Sequence, residues 1–324
     1  MLSEKENYMR AFRGDVPEYV PSTGTGVVVR PALLLRNHVD GAQFDIFGVE
    51  WEPGSSAIEG AMPKPGAFIL DDIRRWRDVI KFPDFSDIDW ETMSKKDLEP
   101  HDPELLRGGL LMSGQGFFQH IMAFMGFTEG LIACFEEPEE VEALLEYLCD
   151  GYLSIADSFL KYYKPDYITY PDDTATERSP FISLETFQEV IAPVWRRYLG
   201  FFKDRGYLAA HHNCGRCELF LDDIVDMGIN AWNPAQTSND LISIKKKFGN
   251  KLLICGGFET RMLQTQIDIS EEEIRSTVKK AMDELAPGGG YAFPRGGTLE
   301  KNPVLKQRWE WVNDEYDSLK RTYY

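Results

Sequence analysis

A chain of 324 residues carrying 35 Lys and Arg against 53 Asp and Glu has a formal charge of −18. That excess excludes a general grip on nucleic acid or anionic lipid, because neutralising phosphate takes clustered cations. With 43 % hydrophobic and 27 % charged residues the chain has the balance of a folded globular protein, and no apolar run reaches the roughly 18 residues of a membrane span. The polar start, MLSEKENYMRAFRGD, does not read as a secretory signal, and five cysteines are no disulfide framework, so the expected setting is a reducing cytoplasm.

In chain order, Ser3-Glu4-Lys5-Glu6 caps a short helix ending near Gly14. Residues 26–29 and 109–112 are strand candidates, and 44–90, rich in Gly, Pro and Trp, read as an extended covering loop. Pro138 opens a long helix over 139–160, whose apolar positions Val141, Leu144, Leu145, Leu148, Tyr152, Ile155 and Phe159 follow helical spacing. The second half alternates. Strand 167–170, bounded by Pro165 and Pro171, precedes helix 183–202. Strand 207–210 precedes an amphipathic stretch with Leu219, Ile224 and Met227, closed by Gly228. Strand 229–232 follows, then a helix capped by Asn239-Asp240 and ending at Gly249, then strand 252–255. Ser270 to Glu273 form a capping box for a helix with Ile274, Val278, Ala281 and Leu285 on one face, before strand 291–293 and a C-terminal helix.

Strands separated by helices predict a parallel sheet, and a count of about eight predicts a (β/α)8 TIM barrel. One domain over 1–324 is expected, with an elaborated N-terminal region to 105 and a regular β/α part over 106–324. No G-x-G-x-x-G follows an early strand, so a dinucleotide fold has no support.

In such a barrel the reactive groups gather at the C-terminal strand ends. These read Asp172-Asp173, then His211-His212-Asn213-Cys214-Gly215-Arg216-Cys217, then Gly256-Gly257-Phe258-Glu259, then Pro294-Arg295-Gly296-Gly297. Imidazole and thiolate are preferred zinc ligands, and His212 and Cys214, two apart on an extended segment, project to one side. Cys214 and Cys217 also form a C-x-x-C, a ligand pair or a redox pair. The structural alternative makes the histidines hydrogen-bonding groups at a strand end and the cysteines small apolar fillers. Asp172 and Asp173 serve either as a helix cap or, partly buried, as a general acid or base. Glu259 is a substrate contact or a surface cap, Arg295 an anion clamp or a salt-bridge partner, and Trp51 a packing or substrate-stacking residue. Cys134 and Cys149 fall in helical patterns as inert core.

On these residues the chain resembles the uroporphyrinogen decarboxylase superfamily, which includes zinc-dependent methylcobamide methyltransferases. The carrying segments are EKENYMRAFRGDVPEYVP, MGFTEGLIACFEEPEEVEALL, KPDYITYPDD, HHNCGRCELFLDDIVDMGINAWNP, NDLISIKKKFGNKLLICGGFE and APGGGYAF. The Arg-rich segment of true decarboxylases is replaced by TGTGVVVRPALLLRN, with only Arg30 and Arg36, which turns the reading away from tetrapyrroles. The methyltransferase branch carries H-x-C and a further cysteine after the last strand. Here His212 and Cys214 match, but Gly297 stands near the cysteine's place, leaving Cys217, Cys255 or Glu259 as the third metal ligand.

The resemblance implies an enzyme that demethylates a small methoxylated compound, an aromatic one in the narrower reading, and hands the methyl group to a corrinoid on a partner protein. His212 and Cys214 would hold zinc; otherwise His211, Asp172 or Asp173 would donate the proton to the leaving oxygen. Arg30, Trp51, Glu259 and Arg295 are the expected substrate contacts. The alternatives are a carboxy-lyase using Arg30, Arg36 or Arg295, and a non-catalytic small-ligand binder.

Overall fold

Seven short strands lie side by side and parallel, and the chain reaches them through helices, as a parallel crossover demands. The computed structural model describes residues 2–54, 61–297 and 300–324. Strand β1 (Gly26–Val29) is followed by four strands of a separate antiparallel sheet: β2 (Asn37–Val39), β3 (Ala42–Phe44), β4 (Glu50–Pro53) and β5 (Ala61–Pro63). The main sheet continues with β6 (Leu106–Gly109), β7 (Tyr167–Pro171), β8 (Ala209–His212), β9 (Ile229–Ala235), β10 (Leu253–Gly256) and β11 (Tyr291–Ala292). Its order is β1-β6-β7-β8-β9-β10-β11, so each new strand adds beside the last. The two edges meet at a parallel bridge between Ser22 and Phe293. There the Thr23 N–H donates to Phe293 O at 3.0 Å and the Phe293 N–H to Pro21 O at 2.9 Å.

Several expectations shift: among the described residues the main sheet has seven strands where about eight were expected, and the strand foreseen at 207–210 lies at Ala209–His212. The strand foreseen at 109–112 lies at Leu106–Gly109, because Gly108 and Gly109 are there for close packing: a Cβ on Gly109 would come within 2.7 Å of Pro165 Cβ. The supposed loop over 44–90 contains most of the antiparallel sheet, whose three- and four-residue strands are too short to show alternation; its residues 55–60 lie outside the described residues. The helix over 139–160 is two, Pro138–Ser154 and Ala156–Tyr163, meeting at Ile155. Helix 183–202 carries a π-helical turn over Phe187–Ile191 just before Pro193, which has no N–H with which to continue the α ladder.

Helix α1 (Glu4–Phe12), closed by the Ser3–Glu6 capping box, packs inside the curl of the sheet rather than outside. Ala210, Ala231 and Ala292 are small enough to admit Tyr8, Met9 and Phe12 beside Leu106, Leu253 and Cys255. Burying Met9 and Phe12 there contributes roughly 2 kcal/mol each. A larger core lies between the outer face of the sheet and its helices, around Trp195, Tyr198, Phe202 and Trp232. Among the described residues no single helix is long and apolar enough to cross a membrane.

Candidate functional site

Side chains alternate along β8, and the alternation separates its two histidines. His211 points into the outer core. Its ring stacks on Tyr170 at 5.5 Å and meets the edge of Trp195 at 4.9 Å, its Nδ1–H donates to Tyr170 O at 2.9 Å, and its Nε2 is buried with no partner. Burial pushes it down to about 3, so it is neutral at ordinary pH and does not line the cavity. His212 points the other way, into a cavity of about 740 Å3 that opens at the C-terminal strand ends.

The two aspartates separate as well. Asp172 is fully buried and accepts hydrogen bonds from the Phe118 N–H (2.9 Å), the Gln119 N–H (3.0 Å) and the Tyr170 hydroxyl (2.9 Å). It thereby caps the helix Phe117–Met125, whose own cap position is Gly116, too close to Asp172 for a side chain. Burial raises Asp172 to about 7 in spite of these donors, and it takes no part in the cavity wall. Asp173 turns toward β8: its Oδ1 accepts the Cys214 N–H at 2.7 Å and lies 4.0 Å from His212 Nε2.

Asp173, His212 and Cys214 bring one carboxylate oxygen, one imidazole nitrogen and one sulfur within 4.8 Å of one another, with Cys214 Sγ 3.5 Å from His212 Nε2. Burial, and then the Asp173 charge, hold the Cys214 thiol up at about 12, so it is protonated at neutral pH in the absence of a cation. His212 donates its Nδ1–H to Asn233 Oδ1 at 3.1 Å, which turns Nε2 toward the sulfur. The loops behind are tied together. Asn213 bonds the Thr174 amide and hydroxyl at 3.0 and 2.9 Å, and Gln236 accepts the Gly215 N–H at 2.6 Å. Gly215 has φ +83° and lies where a Cβ would be 2.5 Å from Ala175 O, so only glycine lets the two loops meet.

None of the three residues expected as third ligand joins this cluster. Cys217 is buried under its own turn, donating to Asn213 O, and Cys255 lines another part of the cavity against Tyr8. Glu259 lines the cavity but is engaged by Thr237 and Arg261. Burial alone would raise it, yet these donors leave it below its ordinary value. Gly297, with φ +85°, packs on Trp309 so closely that a Cβ would lie 2.3 Å from Trp309 Cβ. A cysteine has no room there, and the group that joins His212 and Cys214 is Asp173, just past the end of β7.

Arg30 lies in the wall; burial lowers its guanidinium from its ordinary value, and among the described residues no carboxylate is within 4.0 Å of it. Arg36 is not in the wall; it stacks 3.9 Å over Trp51. Two expected substrate contacts lie elsewhere. Trp51 is buried, its indole N–H given to Asp45 at 3.1 Å. Arg295 turns outward after Pro294 and pairs with Asp317 at 3.1 Å. Asn233, Tyr8 and Tyr167 also belong to the cavity and carry no pattern in the sequence that marks them, since an isolated Asn or Tyr in a strand or helix reads as packing.

The family model for uroporphyrinogen decarboxylase (URO-D) matches residues 116–299, from the helix capped by Asp172 through the ends of β7 to β11. A solved structure of a methyltransferase from Methanosarcina mazei has the same fold, with a TM-score of 0.64 over 98 % of this chain and 99 % of that chain at 14 % identity. No curated protein sequence matches the chain. The family match covers more than half of the sequence and contains the whole Asp173–His212–Cys214 cluster, and the protein therefore belongs to the uroporphyrinogen decarboxylase family.

Proposed function

We propose that the protein is a methyltransferase that removes the methyl group of a small methoxylated, aromatic compound and passes it to a corrinoid carried on a partner protein. The observation that carries this reading is the convergence of His212 Nε2 and Cys214 Sγ on the wall of a cavity of small-molecule size, with the Asp173 carboxylate within 4.8 Å of both. The likeness in fold to a methyltransferase supports it. The bridge between Ser22 and Phe293 supports reading the seven strands as a barrel of the (β/α)8 class formed by one domain.

The donor set fits zinc, which takes nitrogen, sulfur and carboxylate oxygen and in catalytic sites keeps three protein ligands and one open position. When bound, zinc supplies Lewis acidity to the leaving oxygen, and the corrinoid supplies the nucleophile that accepts the methyl group. The chain's own part is positioning. Asn233 fixes the His212 ring, Asp173 holds the Cys214 backbone through its amide, and Val28, Leu110 and Phe258 in the wall keep water from the ether bond. Arg30, the unpaired cation of the wall, attracts an anionic group of the substrate.

A carboxy-lyase is the second reading, and Arg30 is the observation in its favour. Incubating the zinc-loaded protein with reduced cobalamin and a panel of methoxylated aromatics separates the two. Methylcobalamin in the cobalt spectrum is the expected result. No cobalt change, with CO2 released from aromatic acids, would establish the lyase instead.

A further inference from the structure

The cavity extends beyond the donor cluster to a second set of polar atoms. Tyr8 from α1, Tyr167 and Thr169 from β7, and Cys255 from β10 all line it. Tyr8 is only 6 % exposed, yet its hydroxyl has a thiol for partner, Cys255 Sγ at 3.6 Å. A thiol is a weak hydrogen-bonding group, and a buried phenol ordinarily finds a stronger one. Against the other pair stands Gly108, where a Cβ would lie 2.7 Å from Tyr167 Oη and 2.8 Å from Thr169 Oγ1, so the glycine lets both oxygens pack onto β6. Burial holds the Tyr8 phenol well above its ordinary value, and Tyr167 and Cys255 up to about 12, so all four groups are neutral at ordinary pH. This end therefore offers O–H donors and oxygen acceptors without a counter-ion, and a charged group buried there would be uncompensated. Leu106, Leu110 and Phe258 make the rest of the lining apolar.

We propose that Tyr8, Tyr167, Thr169 and Cys255 form a binding subsite for the far end of the ligand, and that it takes an uncharged oxygen function, a phenolic hydroxyl or a carbonyl, on an apolar body. Helix α1, which seals the inside of the sheet, thereby also reads the ligand through Tyr8. The choice of an aromatic ether as ligand rests on the methyltransferase reading; the subsite itself rests on the cavity.

Isothermal titration calorimetry of the full chain with 4-methoxyphenol and with anisole tests this, without any methyl acceptor present. Wild type should bind 4-methoxyphenol about tenfold more tightly than anisole, the effect of one or two net hydrogen bonds. In the Tyr8→Phe/Tyr167→Phe chain the preference should fall below about twofold while anisole binds as in wild type, which also shows that the cavity is intact. Should the double variant fail to bind anisole, the two single variants replace it, and each should show a reduced preference. Equal affinities in wild type, no binding of either compound, or a preference that survives the substitutions overturns the proposal. A preference shown by wild type and lost in the double variant, without transfer to cobalamin, would sink the methyltransferase reading and leave the subsite standing.

Discussion

The amide of Cys214 donates to the Asp173 carboxylate across 2.7 Å, joining the ends of two neighbouring parallel strands. This bond sets the thiol of Cys214 beside the imidazole of His212 and places a carboxylate oxygen in a cluster that, among the described residues, no second cysteine joins. A cluster held by a backbone contact of this kind depends little on side-chain entropy, so its three groups are placed before any ligand binds.

Metal binding should follow the three donors. After zinc loading and gel filtration, wild type is expected to retain about one zinc per chain by elemental analysis. Cys214→Ala and His212→Ala should retain almost none, and Asp173→Ala should lose at least tenfold in affinity by chelator competition. Equal zinc content in wild type and Cys214→Ala would remove the metal from the mechanism.

Among the described residues the Asn233 side chain bonds the far nitrogen of His212, at 3.1 Å, and no other member of the cluster. Asn233→Ala should therefore leave the melting temperature within a few degrees of wild type and weaken zinc roughly 10- to 100-fold, the range for loss of a histidine's orienting partner. An unchanged zinc affinity would show that the ring needs no such support.

Asp172 belongs to stability rather than to chemistry. Asp172→Ala removes the acceptor for two helix N–H groups and the Tyr170 hydroxyl, and should cost about 2 kcal/mol in urea unfolding. Zinc content should not change. A variant as stable as wild type, or one that loses zinc selectively, would contradict this assignment.

Two buried imidazoles make folding pH-dependent. Burial depresses His120 and His211 to about 3, against an ordinary 6.5, so each is neutral in the folded chain and takes up a proton on unfolding. Their contribution is fully present above pH 6.5 and is lost as pH falls toward 3, with a slope of roughly 1.4 kcal/mol per pH unit for each. His211→Gln should show the smaller loss of unfolding free energy between pH 6.5 and 5, by about one proton in linkage. Parallel pH profiles for the two chains would refute it.

Much of the fold is legible in one dimension because its signals are local. The Ser3 and Ser270 capping boxes, the Asp240 cap and the Gly228 and Gly249 stops act within a turn or two of helix, and all stand where the pattern puts them. The strand at Leu106–Gly109 is the opposite case. Its two glycines lower β propensity and are explained only by Tyr167, Thr169 and Pro165 from a neighbouring strand and the loop before it.

The order of residues alone determined that the protein has parallel α/β architecture, that His212 and Cys214 share one side of a strand end, and that the chain is too acidic to hold polyanions broadly. Tertiary structure decided which of each adjacent pair faces the cavity. His211 and Asp172 went to the core and His212 to the cavity, with the Asp173 carboxylate 4.0 Å from its Nε2, because a strand sends neighbours to opposite faces and only the packed helices reveal which face is closed. It also decided the third donor. Asp173 and Cys214 are far apart along the chain, and it is the pairing of β7 with β8 that brings them to a single hydrogen bond.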